Sequence, residues 1–151
     1  MPNKLPLDTL IELARNRTDD AARRLGHLQS AQLSADQKLD LLLQYRQDYH
    51  AQLQALMQQG VSNSQWFNWR DFLGTLDGAI EQQRAIARQA ASRLEHGRGE
   101  WQQHKRRQSS FDTLAERLRR QQLVHEARRE QRDSDERASR QFFERRAGTA
   151  L

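Results

Sequence analysis

The chain has 151 residues, enough for one ordinary domain, yet only 36% are apolar and 30% are charged, which is poor material for a globular core. Its formal charge of +5 is unevenly placed: residues 1–100 hold 12 Lys/Arg against 12 Asp/Glu, and residues 101–151 hold 13 against 8. With no cysteine, disulfides and thiolate metal sites are excluded. Long amphipathic helices and disorder both fit this composition, and pattern has to decide between them. No apolar run approaches the roughly 18 residues of a membrane span. Asp8, Glu12, Arg15 and Arg17 interrupt the place where a signal peptide would carry its apolar region, so the sequence predicts a soluble, cytoplasmic protein.

Pro2 and Pro6 are the only prolines, so nothing from Leu7 onward forbids helix on that ground. Stepping alternately by four and three from Leu7 gives Leu7, Ile11, Ala14, Thr18, Ala21, Leu25, Leu28, Gln32, Ala35, Leu39, Leu42, Arg46, Tyr49, Leu53 and Leu56. Twelve of these fifteen are apolar or aromatic, in one unbroken register. A repeat of 3.5 residues sustained this long predicts a left-handed coiled coil, because supercoiling alone keeps such a stripe on one partner. Disorder is thereby ruled out for this half. Ser34 and Gln37 have capping-box spacing and mark a place for a local break.

Residues 60–64, Gly-Val-Ser-Asn-Ser, read as a turn. Gly60 can close a helix in the left-handed conformation. Ser62 with Gln65 has the spacing of a capping box, and Val61 with Trp66 that of a hydrophobic staple. A second helix then repeats the alternation through Trp66, Trp69, Leu73, Leu76, Ile80, Gln83, Ala87, Ala90, Leu94, Gly97, Trp101, His104, Gln108, Phe111, Ala115 and Leu118. The predicted fold is all-α: two long helices forming an antiparallel coiled-coil hairpin, with helix 1 over about 7–58, the turn at 60–64 and helix 2 over about 65–145. This makes a single hairpin over 1–147 and a disordered end at 148–151. Leu28 should face Gly97, where a kink or close approach is expected, and Leu7 should face Leu118. Beyond Leu118 the second helix outruns its partner, leaving a charged tail, helical or frayed, supported by pairs such as Glu116 with Arg120.

Chemistry has few footholds. His27, His50, His96, His104 and His125 show no metal-ligand spacing, no phosphate-binding loop is present, and paired carboxylates such as Asp19 and Asp20 read as solvated faces. No enzyme, cofactor or metal is predicted. Beside the seam, Leu42, Tyr45 and Tyr49 on the first helix and Phe72, Leu76 and Ala79 on the second form two stripes that a hairpin brings together. They fit a wide seam packed around a cluster of Trp66, Trp69 and Trp101, or a docking surface for a partner. The basic last third fits nucleic acid, an anionic membrane, an acidic protein surface or plain solvation. Interspersed acids and the lack of an aromatic among the arginines argue against nucleic acid.

In this order the residues resemble the flagellar export protein FliJ family over nearly the whole chain. The resemblance rests on the N-terminal heptad, the block Leu41-Leu42-Leu43-Gln44-Tyr45-Arg46-Gln47-Asp48-Tyr49, the glycine turn, and the block from Phe72 through Gln83. The distinctive part is Tyr-x3-Tyr followed 23 residues later by Phe-Leu-x2-Leu-x2-Ala-Ile. The resemblance implies a non-catalytic coiled-coil stalk of flagellar type III export, cytoplasmic and peripheral at the inner membrane. It implies binding to the hexameric export ATPase FliI and to the export gate protein FlhA, and in some members to the chaperones FlgN and FliT. The gate-binding positions it implies are Leu42, Tyr45, Tyr49, Phe72, Leu76 and Ala79. Lys38 and Gln83 depart from the family pattern, which has a glutamine and a histidine there. By analogy with the stalk of rotary ATP synthases, the paired termini (about 1–28 and 100–135) would enter the ATPase ring, with Arg119, Arg120, Arg128 and Arg129 as contacts. An injectisome stalk shares the architecture and is the alternative, and a generic coiled-coil or nucleic-acid-binding protein is the rival of a different class.

Overall fold

The computed structural model describes residues 6–149. Two helices account for nearly all of them: α1 over Pro6–Gln59 and α2 over Asn63–Thr149. Pro6 occupies the first helical position, where a missing N–H costs nothing. The local break for which the Ser34–Gln37 spacing left room does not occur, and α1 runs unbroken through it. Between the helices only residues 60–62 are non-helical. Gly60 has φ 92°, a region that L side chains rarely adopt. The capping box forms as spaced: the Gln65 N–H donates to Ser62 Oγ at 3.3 Å, and the Ser62 N–H donates to Gln65 Oε1 at 3.4 Å.

The chain divides into two compact units, one of residues 16–105 and one that joins the first turns of α1 to α2 from residue 106 onward. In the first unit α1 and α2 pack antiparallel. Leu25 and Leu28 meet Gly97, Tyr49 meets Phe72, and Arg46 meets Asp77. The seam is the predicted one. Of the fifteen heptad positions in α1, all but Arg46 and Leu56 are buried or half-buried, and Leu43 is the only other residue of α1 so covered. In α2 the same holds for every predicted position except Trp66 and Leu118. The best-buried side chain is Ile80, at 1% exposure.

Polar seam positions are used as ties between the helices. The Thr18 hydroxyl donates to the His104 carbonyl at 3.2 Å, and the Gln83 amide donates to the Ala35 carbonyl at 3.0 Å. Arg46, too long and charged for the core, reaches sideways to Asp77 at 3.4 Å. An apolar seam alone tolerates a slip of one heptad, whereas these three ties are satisfied in one register only.

Gly97 answers the question of kink or close approach. A Cβ placed there would lie 2.5 Å from Leu28 Cδ1, so the bare backbone is the hole that the leucine fills, and α2 continues through it.

In the second unit Leu7, Ile11 and Ala14 of α1 and Gln108, Phe111 and Ala115 of α2 are covered, and Arg15 pairs with Asp112 at 3.7 Å. The seam ends one position early: Leu118 is 46% exposed, and every described residue from Glu116 to Thr149 is exposed. The tail is nevertheless helical to Thr149. Its helix is supported by ion pairs from Arg119 and Arg120 to Glu116, by a Gln131–Asp135 hydrogen bond, and by the Arg146 guanidinium over the Phe142 ring. Gly148 and Thr149 belong to α2. Residues 1–5 and 150–151, including parts of the predicted paired terminus and disordered end, lie outside the described residues.

Candidate functional site

Near the turn the two helices present aromatic residues that their seam cannot fully enclose. Tyr49 holds a heptad position on α1 and is half-buried, with the Phe72 ring edge-on at a centroid distance of 4.8 Å. Trp69 completes a triangle, 6.1 Å from Tyr49 and 6.3 Å from Phe72. Such tilted and edge-to-face pairs satisfy the ring quadrupoles. Together with Asn68 these three rings line a shallow cavity of about 310 Å³.

The six predicted patch residues fall into two groups. Leu42, Tyr49, Leu76 and Ala79 are half-buried and belong partly to the seam, while Tyr45 and Phe72 are 44% and 43% exposed. The register set by Arg46 against Asp77 puts Tyr45 on the flank beside the Leu76–Ala79 turn of α2. Leu42 lies one turn before it on the same helix. The ring contact of Tyr49 with Phe72 joins the two helices here, with Leu42, Leu76 and Ala79 half-buried and the Tyr45 and Phe72 rings half in water.

In the sequence Trp69 reads as a seam residue, and one of the two explanations of the patch groups it with Trp66 and Trp101. That cluster does not form. Trp69 and Trp101 are 32 positions apart on one helix, about 48 Å at 1.5 Å per residue, and the ring neighbours of Trp69 are Tyr49 and Phe72. The spacing of Trp69 and Phe72, one turn apart on α2, was the available signal. Gln83 is spent on the tie to the Ala35 carbonyl.

The predicted tail arginines are all exposed, but they are not equivalent. Arg119 and Arg120 both turn to Glu116, at 3.7 and 3.4 Å, whereas Arg128 and Arg129 make no ion pair among the described residues. The described residues contain no group of three or more potential ligands that could hold a metal ion. No described helix is long and apolar enough to cross a membrane.

A family model described as the flagellar FliJ protein matches residues 3–147. A flagellar FliJ protein of Salmonella typhi is 34% identical over 134 residues, covering 89% of this chain and 91% of the relative. A flagellar FliJ protein of Escherichia coli strain K12 is 33% identical over 134 residues, with the same coverage. A match of this extent, on a chain whose heptad seam and turn fold as a two-helix hairpin, shows that the chain belongs to the flagellar FliJ protein family.

Proposed function

We propose that this chain is a non-catalytic coupling stalk in flagellar protein export, binding the hexameric export ATPase FliI through its tail and the export gate protein FlhA through the aromatic patch. Family membership supports the broader statement, a component of flagellar protein export. The observation that carries the finer one is the patch itself. Tyr45 and Phe72 are large and nearly half exposed, Phe72 is held edge-on by the Tyr49 ring, and the described residues form no larger core to hide either. A partner that covered both rings would gain apolar burial without distorting the hairpin.

The tail suits a different kind of contact. Exposed helix carrying Arg128 and Arg129 without ion pairs can meet an acidic surface at no cost in broken pairs, whereas Arg119 and Arg120 must first release Glu116. The gate and ATPase contacts thus fall on different parts of the chain and should separate by mutation. Escort of the chaperones FlgN and FliT, and a peripheral position at the cytoplasmic face of the inner membrane, follow from the same reading.

The test measures binding of the full chain to the cytoplasmic part of FlhA and to FliI. Tyr45→Ala should weaken the first and spare the second. Neutralising Arg119, Arg120, Arg128 and Arg129 together should do the reverse. Gate binding unchanged by Tyr45→Ala, with ATPase binding unchanged by the four neutralisations, would remove both assignments.

A further inference from the structure

We infer that the overhanging segment of α2, residues 123–142, is a self-complementary surface that pairs antiparallel with the same segment of a second copy of this chain. Continuing the hairpin seam beyond Leu118 by the same alternation meets Gln122, His125, Arg129, Arg132 and Glu136, so the seam face turns polar. A different stripe takes over. Val124, Ala127, Gln131, Ser134, Ala138 and Phe142 follow one another at three or four residues, with Leu123 and Gln141 beside its two ends. Residues 121–144 include 11 charged side chains among 24, and none falls on this stripe. Ala127 is nine residues past Leu118, which at 100° per residue puts the stripe about 180° from the old seam. All of it is exposed: Leu123 61%, Val124 50% and Phe142 59%.

The spacing of the stripe is symmetric about a centre between Gln131 and Ser134. Laid antiparallel on a copy of itself, Val124 meets the partner's Gln141, Ala127 meets the partner's Ala138, and Gln131 meets the partner's Ser134. Small residues fill the middle layers and let the backbones approach closely. Leu123 lies beside the partner's Phe142 at each end, where the larger side chains close the interface. Arg120 and Arg145 bound the stripe, and the Arg120 guanidinium is already turned to Glu116.

The flanking charges choose the orientation. In the antiparallel arrangement Glu130 lies against the partner's Arg137, and Arg128 against the partner's Asp135. Two-fold symmetry repeats each, giving attraction at the four charged flanking positions in the middle of the stripe, while Glu144 flanks the partner's Leu123 and only the bounding Arg120 and Arg145 oppose like charge. In a parallel arrangement Glu130 would instead face the partner's Asp135, a like-charge contact on both sides. Intrahelical pairing does not pre-empt this, since among the described residues Glu130, Arg128 and Arg137 make no ion pair. Asp135 accepts only one hydrogen bond, from Gln131, and keeps a carboxylate oxygen free. Pairing with a second copy requires no other protein, so it stands or falls apart from the export reading.

The chain carries no cysteine, which makes a clean crosslinking test available. Full-length Ala127→Cys and Ala138→Cys proteins are mixed under mild oxidation, beside each variant alone. The mixture should give a 127-to-138 disulfide much faster than either variant gives its own. Residues 127 and 127 of an antiparallel pair are about 16 Å apart along the axis, beyond disulfide reach. In sedimentation the unmodified chain should show a concentration-dependent monomer–dimer equilibrium. Glu130→Arg should weaken it about tenfold (~1.4 kcal/mol), and adding Arg137→Glu should restore it. These are surface charges, so the fold is not at risk. A chain that stays monomeric at every soluble concentration, same-position disulfides outpacing the mixed one, or a dimer indifferent to the charge swap would each overturn the proposal.

Discussion

Two glycines two residues apart on α2 should respond in opposite ways to the same substitution. Gly99 has nothing within 4 Å of where a Cβ would sit, so Gly99→Ala changes only the backbone. Replacing a mid-helix glycine by alanine is worth about 0.5–1 kcal/mol, and Gly99→Ala should stabilise by that amount. Gly97→Ala receives the same helix gain, but its Cβ would stand 2.5 Å from Leu28 Cδ1, with Leu25 Cδ1 at 4.0 Å. Leu28 must move by about 1 Å to reach ordinary contact, and overpacking of this kind costs about 1–3 kcal/mol. The net change is a destabilisation of about 0–2 kcal/mol, so the two variants should differ by about 1–3 kcal/mol. Urea denaturation followed by circular dichroism at 222 nm (roughly the helix band) reads this directly, since helix is the only regular structure present among the described residues. Leu28→Val in the Gly97→Ala background should recover part of the loss, with a coupling energy of about 0.5–3 kcal/mol, and should show no coupling to Gly99→Ala. Equal stabilisation by both alanines, or additivity of Gly97→Ala with Leu28→Val, would refute the close approach at Gly97.

Other outcomes follow from the same contacts. Phe72→Ala removes an edge-to-face partner of Tyr49 and should cost about 0.5–1.5 kcal/mol in denaturation. Tyr45 touches no other ring among the described residues, so Tyr45→Ala should stay within about 0.5 kcal/mol of the parent, and on the proposed function both variants should weaken gate binding. A larger loss of stability in Tyr45→Ala would return that residue to the seam. Ser62→Ala breaks one half of the reciprocal cap and should destabilise by about 1 kcal/mol, while Ser34→Ala, at a spacing that caps nothing, should be neutral in the same assay.

The seam was legible in the sequence because a heptad constrains every layer. Thr18, Gln32 and Gln83 lie in it despite their polarity, and apart from Arg46, which reaches out to Asp77, only positions at the stripe's ends (Leu56, Trp66 and Leu118) leave it for solvent. The turn was legible for a similar reason, since Gly60, Ser62 and Gln65 each have one physical use at their spacing. The capping-box spacing at Ser34 shows the opposite case, in which a local signal competes with a seam on both sides and the helix continues. The aromatic patch was half legible. Heptad spacing brings Tyr49 and Phe72 together, and Trp69, one turn from Phe72 on α2, is the tryptophan whose ring joins theirs, a distinction that composition alone hides. In the tail, composition hid a difference that geometry exposes: four similar arginines separate into two held by Glu116 and two making no ion pair among the described residues.

The central claim, that the chain is a coupling stalk for the export ATPase, is tested most directly by the steady-state ATP hydrolysis rate of the cognate flagellar export ATPase as this protein is titrated in. The account predicts saturable stimulation that is kept by Tyr45→Ala and reduced when Arg128 and Arg129 are neutralised. A rate unchanged at every concentration, with the hairpin folded by circular dichroism, would contradict it.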